Sequence, residues 1–488
     1  MNMIKRIVYS MTALISGITL LLTAAFQGGT GTGFPDRPTE EITADFLSGN
    51  GAFISEPVSD KWSVGYARNE LTPEDITKTR YFLGGYLRFP AQEATGIIDE
   101  LWVRAVVLDD NSGRGAIAFA WIDAIGLMNA DVKLIRQKLA DITDMGKLAS
   151  INIGVTHTHS AVDTQGLWGT IPETGMDEEY MNALVEKTAD AIRKAYVSRS
   201  EGELYYGSKN CASYFTDGRS ARSYDENIHL LRFVPDDTSK REIYIANFGA
   251  HPVNIEWSVT KLSADFPYYV EKNVNSGSDA DFIYIQGAIG GAIHANLGSS
   301  NGIDSNLPKY DRLQEYGKKV ADVLAEIATE AEEVPAMLNV KHAQVDVDVD
   351  NFIFRLAERT GICHAKAFSE NGKIKMTTEI GYAEIGKNIK VLMMPGEIFP
   401  EVVYGGFLGA DQAYNKTEYP CAALKTHFSE DDYIMTFGLC NDAIGYIVPD
   451  NDYSSKNEDG HSQEMISVGP TAASTISKAF ETLFAECR

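Results

Sequence analysis

Two histidines one residue apart, His157 and His159, close the run Ile151-Asn152-Ile153-Gly154-Val155-Thr156-His157-Thr158-His159-Ser160. Strand alternation sends residues i and i+2 to the same face, so both imidazoles are expected on one side, where the strand meets its loop. Imidazole binds metals and carries protons near neutral pH, so one ring can serve as a ligand while the other orients it or moves a proton. Packed or surface histidines fit the same spacing. What raises the pair above that reading is that other apolar runs end on similar chemistry. Glu242 to Phe248 delivers Gly249-Ala250-His251-Pro252, Ile389 to Met394 ends in Pro395-Gly396-Glu397, and Tyr446 follows the run Tyr433 to Gly438 by a few residues. Strands of a common sheet that stop at one edge would bring these groups together, which is where open α/β sheets place their sites.

The elements that must position them read as a mixed α+β fold of the α/β type: one large domain, residues 62–488, with mixed sheets flanked by helices and the site at strand ends. Arg104 to Leu108 and Ala116 to Trp121 flank Asp109-Asp110-Asn111-Ser112-Gly113, two apolar runs about a cluster of turn formers, so a hairpin is expected. Asp131 to Leu139, Asp177 to Tyr196, Tyr310 to Glu332 and Ser467 to Phe484 carry helical spacing. Glu203 to Tyr206, His229 to Val234 and Asp281 to Gln286 read as strands. The loop Gly166 to Gly175 is placed to wall a pocket. The glycine-rich stretch Gly287 to Gly291 lacks the Gly-Lys-Ser/Thr of a phosphate loop.

The chain has 488 residues, is 44% hydrophobic and carries a formal net charge of −25, which supports a large core and argues against a broad basic face for nucleic acid or anionic lipid. Five cysteines without a Cys-x-x-Cys pair support neither a thiolate zinc site nor a disulfide framework, though a single disulfide fits. Lys5 and Arg6 precede an apolar run from Ile7 to Phe26, so residues 1–26 read as an export signal or, uncleaved, a membrane anchor. Residues 27–61 form a flexible lead-in. The expected location is outside the cytoplasm, with membrane proximity through that segment; the oligomeric state is left open.

With these residues in hand, the sequence resembles the neutral, non-lysosomal ceramidase family. Leu83-Gly84-Gly85-Tyr86, Trp121-Ile122-Asp123, Thr156-His157-Thr158-His159-Ser160, Asn247 to Pro252, Pro395-Gly396-Glu397, and Tyr446 with Tyr453 after it carry the resemblance in the family's order. It runs from Trp62 to the C-terminus as a compact bacterial-type relative, without the further β-domain of longer members. The resemblance implies one catalytic zinc held by His157, His251, Glu397 and Tyr446, with His159 exchanging a proton with the reacting group. Zinc with nitrogen and oxygen ligands and an open position makes hydroxide available at neutral pH.

Two departures bear on the substrate. The family's site serine falls on Ile293, which can be neither nucleophile nor hydroxyl ligand. A later tyrosine expected to support the oxyanion has no match beyond Tyr453, and His461 stands near its place. Asp123 ends a strand as either a support for the catalytic groups or a turn former. Arg219 falls near the family's site arginine, where a surface arginine fits equally, and His294 reads as either a substrate contact or a packing residue. The expected function is an exported zinc-dependent hydrolase cleaving an N-acyl amide in a small or lipid-like substrate. Alternatives are a relative acting on an ester or a polar amidated or glycosylated compound, and a catalytically dead surface-binding module.

Overall fold

The computed structural model describes residues 33–37, 48–86, 90–140, 148–170, 173–219, 223–456 and 460–488. The expected export segment and much of the lead-in lie outside the described residues. The larger sheet contains β1 (Trp62–Glu70), β2 (Trp102–Asp109), β3 (Ala116–Ile122), β4 (Leu148–Val155), β5 (Ser200–Asn210), β6 (Asn227–Pro235), β7 (Glu242–Phe248) and β8 (Ala280–Gln286). Their order is β8-β7-β6-β5-β1-β2-β3-β4, with Glu332–Val334 also paired to β5. β9 (Leu338–Asp348), β10 (Lys373–Ile385), β11 (Ile389–Met393) and β12 (Tyr433–Phe437) form the second sheet in chain order, and Ala367–Glu370 pairs with β10. Each sheet mixes pairings: β3 with β4, β7 with β8 and β11 with β12 are parallel, and the other pairs of labelled strands are antiparallel.

Period-2 alternation sorts the side chains into layers. Val103, Ala105 and Val107 of β2, with Ala116, Ala118 and Ala120 of β3, face α1 (Asn129–Ala140) and α2 (Glu178–Val197). Val106, Leu108, Phe119 and Trp121 point the other way, against Val340, Ala383, Val391, Met393, Met435 and Phe437 of the second sheet. Small residues on the outer face let the helices approach, and large ones fill the space between sheets. α3 (Phe266–Gly277) and α4 (Lys309–Glu330) cover β6 to β8, and the closing helix Ala472–Cys487 covers the outer face of the second sheet. The result is helix on sheet on sheet on helix. β3 is buried at every position, which explains why its run is continuously apolar.

The expected hairpin is the β2 and β3 pair, and Asp177 caps α2 by accepting from the Tyr180 amide at 2.8 Å. The closing helix begins at Ala472 rather than Ser467, after Pro470. All five cysteines are free.

A buried ion pair ties the layers beside the site. Arg136 of α1 makes two 2.8 Å bonds to Glu379 of β10, and its Nε donates to the Ile151 carbonyl of β4 at 3.0 Å. Removing one partner strands a charge in the core, so Arg136→Ala is expected to destabilise the fold by about 3–5 kcal/mol. Equilibrium denaturant unfolding measures it.

Candidate metal centre

β4 ends at Val155, and the chain turns before His157, whose φ is +68°. Strand alternation is therefore not what aims the two histidines. A left-handed turn does so, bringing the Nε2 atoms of His157 and His159 to 3.3 Å. His251 enters from the turn after β7. Glu397 and Tyr446 come from segments that follow β11 and β12, where Glu397-Ile398 pairs in parallel with Tyr446-Ile447 as a separate two-stranded sheet. The expectation of one common sheet is thus corrected: the two histidine-bearing turns follow strands of the larger sheet, and the acid and phenol sit on a short two-stranded sheet of their own, reached from β11 and β12 of the second sheet.

The groups converge. The ligand atoms of His157, His159 and His251 lie within 4.8 Å of one another. Glu397 Oε2 is 2.9 Å from His251 Nε2 and 3.4 Å from His157 Nε2, and the Tyr446 hydroxyl is 3.4 Å from His251 Nε2. On the far side of each ring a backbone carbonyl fixes the tautomer: Nδ1–H of His157 donates to Ile125 O at 2.6 Å, and that of His251 to Ile293 O at 2.8 Å. With its Nδ1–H committed to Ile293 O, a neutral His251 turns its Nε2 lone pair toward Glu397 Oε2, with the Tyr446 hydroxyl beside it. Two imidazole nitrogens, a carboxylate and a phenol oxygen that converge on one point are a donor set that fits a divalent metal of the zinc type. Burial alone would raise the Glu397 carboxyl, but the His157 charge and the bonds from both rings outweigh it and hold it well below its ordinary range. Burial, then Glu397, pushes the Tyr446 phenol up.

His159 differs from its two neighbours. Its Nδ1 has no hydrogen-bond partner, whereas theirs are locked. Burial first, then the His157 and His251 charges, lower its pKa well below the usual imidazole value. Tyr86 packs edge-on at 4.8 Å and donates its hydroxyl to Val253 O at 3.2 Å. Gly85 lies at φ +100°, and a Cβ there would come within 2.5 Å of the His159 ring, so only glycine leaves that ring its place.

The remaining candidates divide. Asp123 accepts from Arg104 Nη1 at 2.8 Å and from the Trp102 amide at 2.9 Å, while Arg104 also holds Glu271, so the carboxylate belongs to a buried ion cluster and none of these bonds reaches the histidines. Arg219 is buried rather than on the surface. It donates to Asp452 Oδ2 at 3.0 Å and Glu464 Oε1 at 2.8 Å and lies 5.0 Å over Phe399, whose ring is 6.4 Å from that of Tyr446. Glu464 also holds His461 at 2.8 Å, placing His461 in this flank with Arg219 rather than on the three-histidine cluster. The His294 ring lies 5.3 Å from the His251 ring at a tilt of 36°, and burial, then His251, brings its pKa down to about 3. Tyr453 is buried in the core under the closing helix. Ile293 turns its side chain into the core beneath α3 and α4 and serves the centre through its carbonyl. The loop after Gly166 instead wraps Asp163, which accepts from the amides of Gln165, Gly166 and Trp168.

Gln286 was not singled out from sequence, although a glutamine ending the apolar run Phe282 to Ile285 is a signal of a buried polar task. Its side chain is fully buried and bonds both histidine-bearing turns.

A stacked pair of sheets with a histidine, glutamate and tyrosine cluster between their ends is the architecture of a ceramidase-like hydrolase. Residues 62–300 match the family described as neutral/alkaline non-lysosomal ceramidase, N-terminal. The fold is similar to the solved neutral ceramidase from Pseudomonas aeruginosa, with a TM-score of 0.67, 16% identity, and coverage of 87% of this chain and 74% of that one. A ceramidase complexed with C2 matches at a TM-score of 0.66 and 17% identity over the same 87% and 74%. At these identities the likeness is one of fold. No curated protein sequence matches the chain.

Proposed function

We propose that this protein is an exported zinc-dependent hydrolase that cleaves an N-acyl amide with activated water. The observation that carries the reading is the convergence of Nε2 of His157 and His251, each with its Nδ1–H committed to a backbone carbonyl, on Glu397 and Tyr446. His157, His251, Glu397 and Tyr446 would hold the metal. Zinc there supplies Lewis acidity toward water and the substrate carbonyl.

The chain's own residues do the rest. His159 presents Nε2 to the centre and has a free Nδ1, so it can take a proton from the attacking water and pass it to the leaving nitrogen. The carbon–nitrogen bond breaks, a carbon–oxygen bond forms with the water oxygen, and an acid and an amine leave. Ile125 and Ile293 carbonyls keep the ligand rings in one tautomer throughout. Export rests on Lys5, Arg6 and the apolar run to Phe26.

One observation favours a second substrate class. Where the family carries a serine, Ile293 is buried in the core and the His294 ring lies beside His251, so this position offers no hydroxyl to a ceramide head group. The test is product release from ceramide, other N-acyl amines and matched esters by the zinc-loaded protein. Amide turnover is expected; ester turnover without any amide turnover would overturn the amide reading in favour of the second.

A further inference from the structure

β4 and β8 are the two edges of the larger sheet in hydrogen-bond order, yet they contact each other at the metal centre. His157 follows one edge strand, and His251 follows β7, the neighbour of the other. The geometry of the centre therefore depends on what holds these edges at a fixed separation. Part of the answer is backbone: the segment after β12 crosses between them, with the Gly438 amide donating to Gln286 O at 2.8 Å and the Asn441 amide to Ile153 O at 2.7 Å.

The rest is one side chain. Gln286 Nε2 donates to Thr156 O at 2.9 Å and to Ala250 O at 2.9 Å. These are the carbonyls of the residues immediately before His157 and His251. Its Oε1 accepts from the Ala250 amide at 3.1 Å, the Gly287 amide at 3.2 Å and the Tyr284 hydroxyl at 2.7 Å. The amide cannot be reversed, because reversal would set N–H against N–H and oxygen against both carbonyls. Both donors and the acceptor oxygen are used, so the ring positions of two proposed ligands are referred to a single rigid group.

We infer that Gln286 is a positioning residue that sets the spacing of His157 and His251, and with it the affinity of the centre for zinc. The inference rests on the metal reading above and concerns binding rather than turnover. Groups that orient ligands from behind typically change metal affinity by roughly 10- to 100-fold when lost.

Gln286→Glu is the sharpest variant, since it keeps the shape and replaces both donors with a carboxylate oxygen facing two carbonyls. Zinc affinity of the apoprotein is measured by competition with a chromophoric chelator, together with the thermal midpoint of the apoprotein. The account expects Gln286→Glu to bind zinc roughly 10- to 100-fold more weakly than the native chain. A residue that only packed the core would lower the apo midpoint and leave zinc affinity unchanged, and that result overturns the inference. Should Gln286→Glu fail to fold, Tyr284→Phe decides. It removes only the hydroxyl, which lies closest to Gln286 Oε1 at 2.7 Å and also meets Phe248 O at 3.0 Å and Ala250 O at 3.3 Å, and a weakening of a few-fold is expected, with unchanged affinity counting against the role. A native chain that binds no zinc refutes the metal reading and this inference together, whereas a native chain that binds with Gln286→Glu its equal refutes this inference alone.

Discussion

Glu397→Gln is expected to lose zinc while keeping its fold. The carboxylate lies within 3.4 Å of Nε2 on both His157 and His251, is nearly inaccessible to water, and is the sole acid in that cluster of described groups. Glutamine has almost the same shape but no charge, so a bound cation would lose its ionic partner in a low-dielectric site. Losing one partner of a buried ionic contact costs about 3–5 kcal/mol, which is about two to four decades in affinity. In the apoprotein the carboxylate is held ionised by the His157 charge and the bonds from both rings, so neutralising it should also lower the apo thermal midpoint. Chelator competition and apo melting on the same preparation check both halves. A fall in apo stability with zinc affinity intact would make Glu397 a structural acid.

His159→Gln should separate proton transfer from metal binding. His157 and His251 each donate Nδ1–H to a carbonyl, while His159 Nδ1 has no partner, so His159 lacks the support expected of a ligand. Loss of a positioned proton carrier costs roughly 10²- to 10⁴-fold in turnover. Zinc content of this variant should remain at the native level. His159 is also close enough to be a third nitrogen ligand, so zinc lost together with activity would move it into the metal shell.

Elements whose signals are local were legible in the sequence. The hairpin was marked by turn formers between apolar runs, and α2 by Asp177 ahead of an amphipathic stretch. β9 and β10 went unread, although Val345-Asp346-Val347-Asp348 alternates as a strand should. Sheet membership was not legible, because it is set by pairings between residues far apart in the chain. Nothing in Ile389 to Met394 says that it stacks on the inner face of the larger sheet instead of joining it. The site was found through its residue types, but the reason His157 and His159 face the same point was a positive φ at His157, which alternation does not foresee. Asp123 illustrates the reverse. Arg104 inside an apolar run required a buried acid, and Asp123 and Glu271 answer it.

The most direct measurement is zinc per chain in the purified native protein, in His157→Ala and in His251→Ala, by elemental analysis after dialysis against buffer free of chelators. The account predicts about one zinc per native chain, as in a single catalytic site, and little in either variant, with hydrolysis tracking the metal. A native preparation that is free of metal and still hydrolyses its substrate would contradict it.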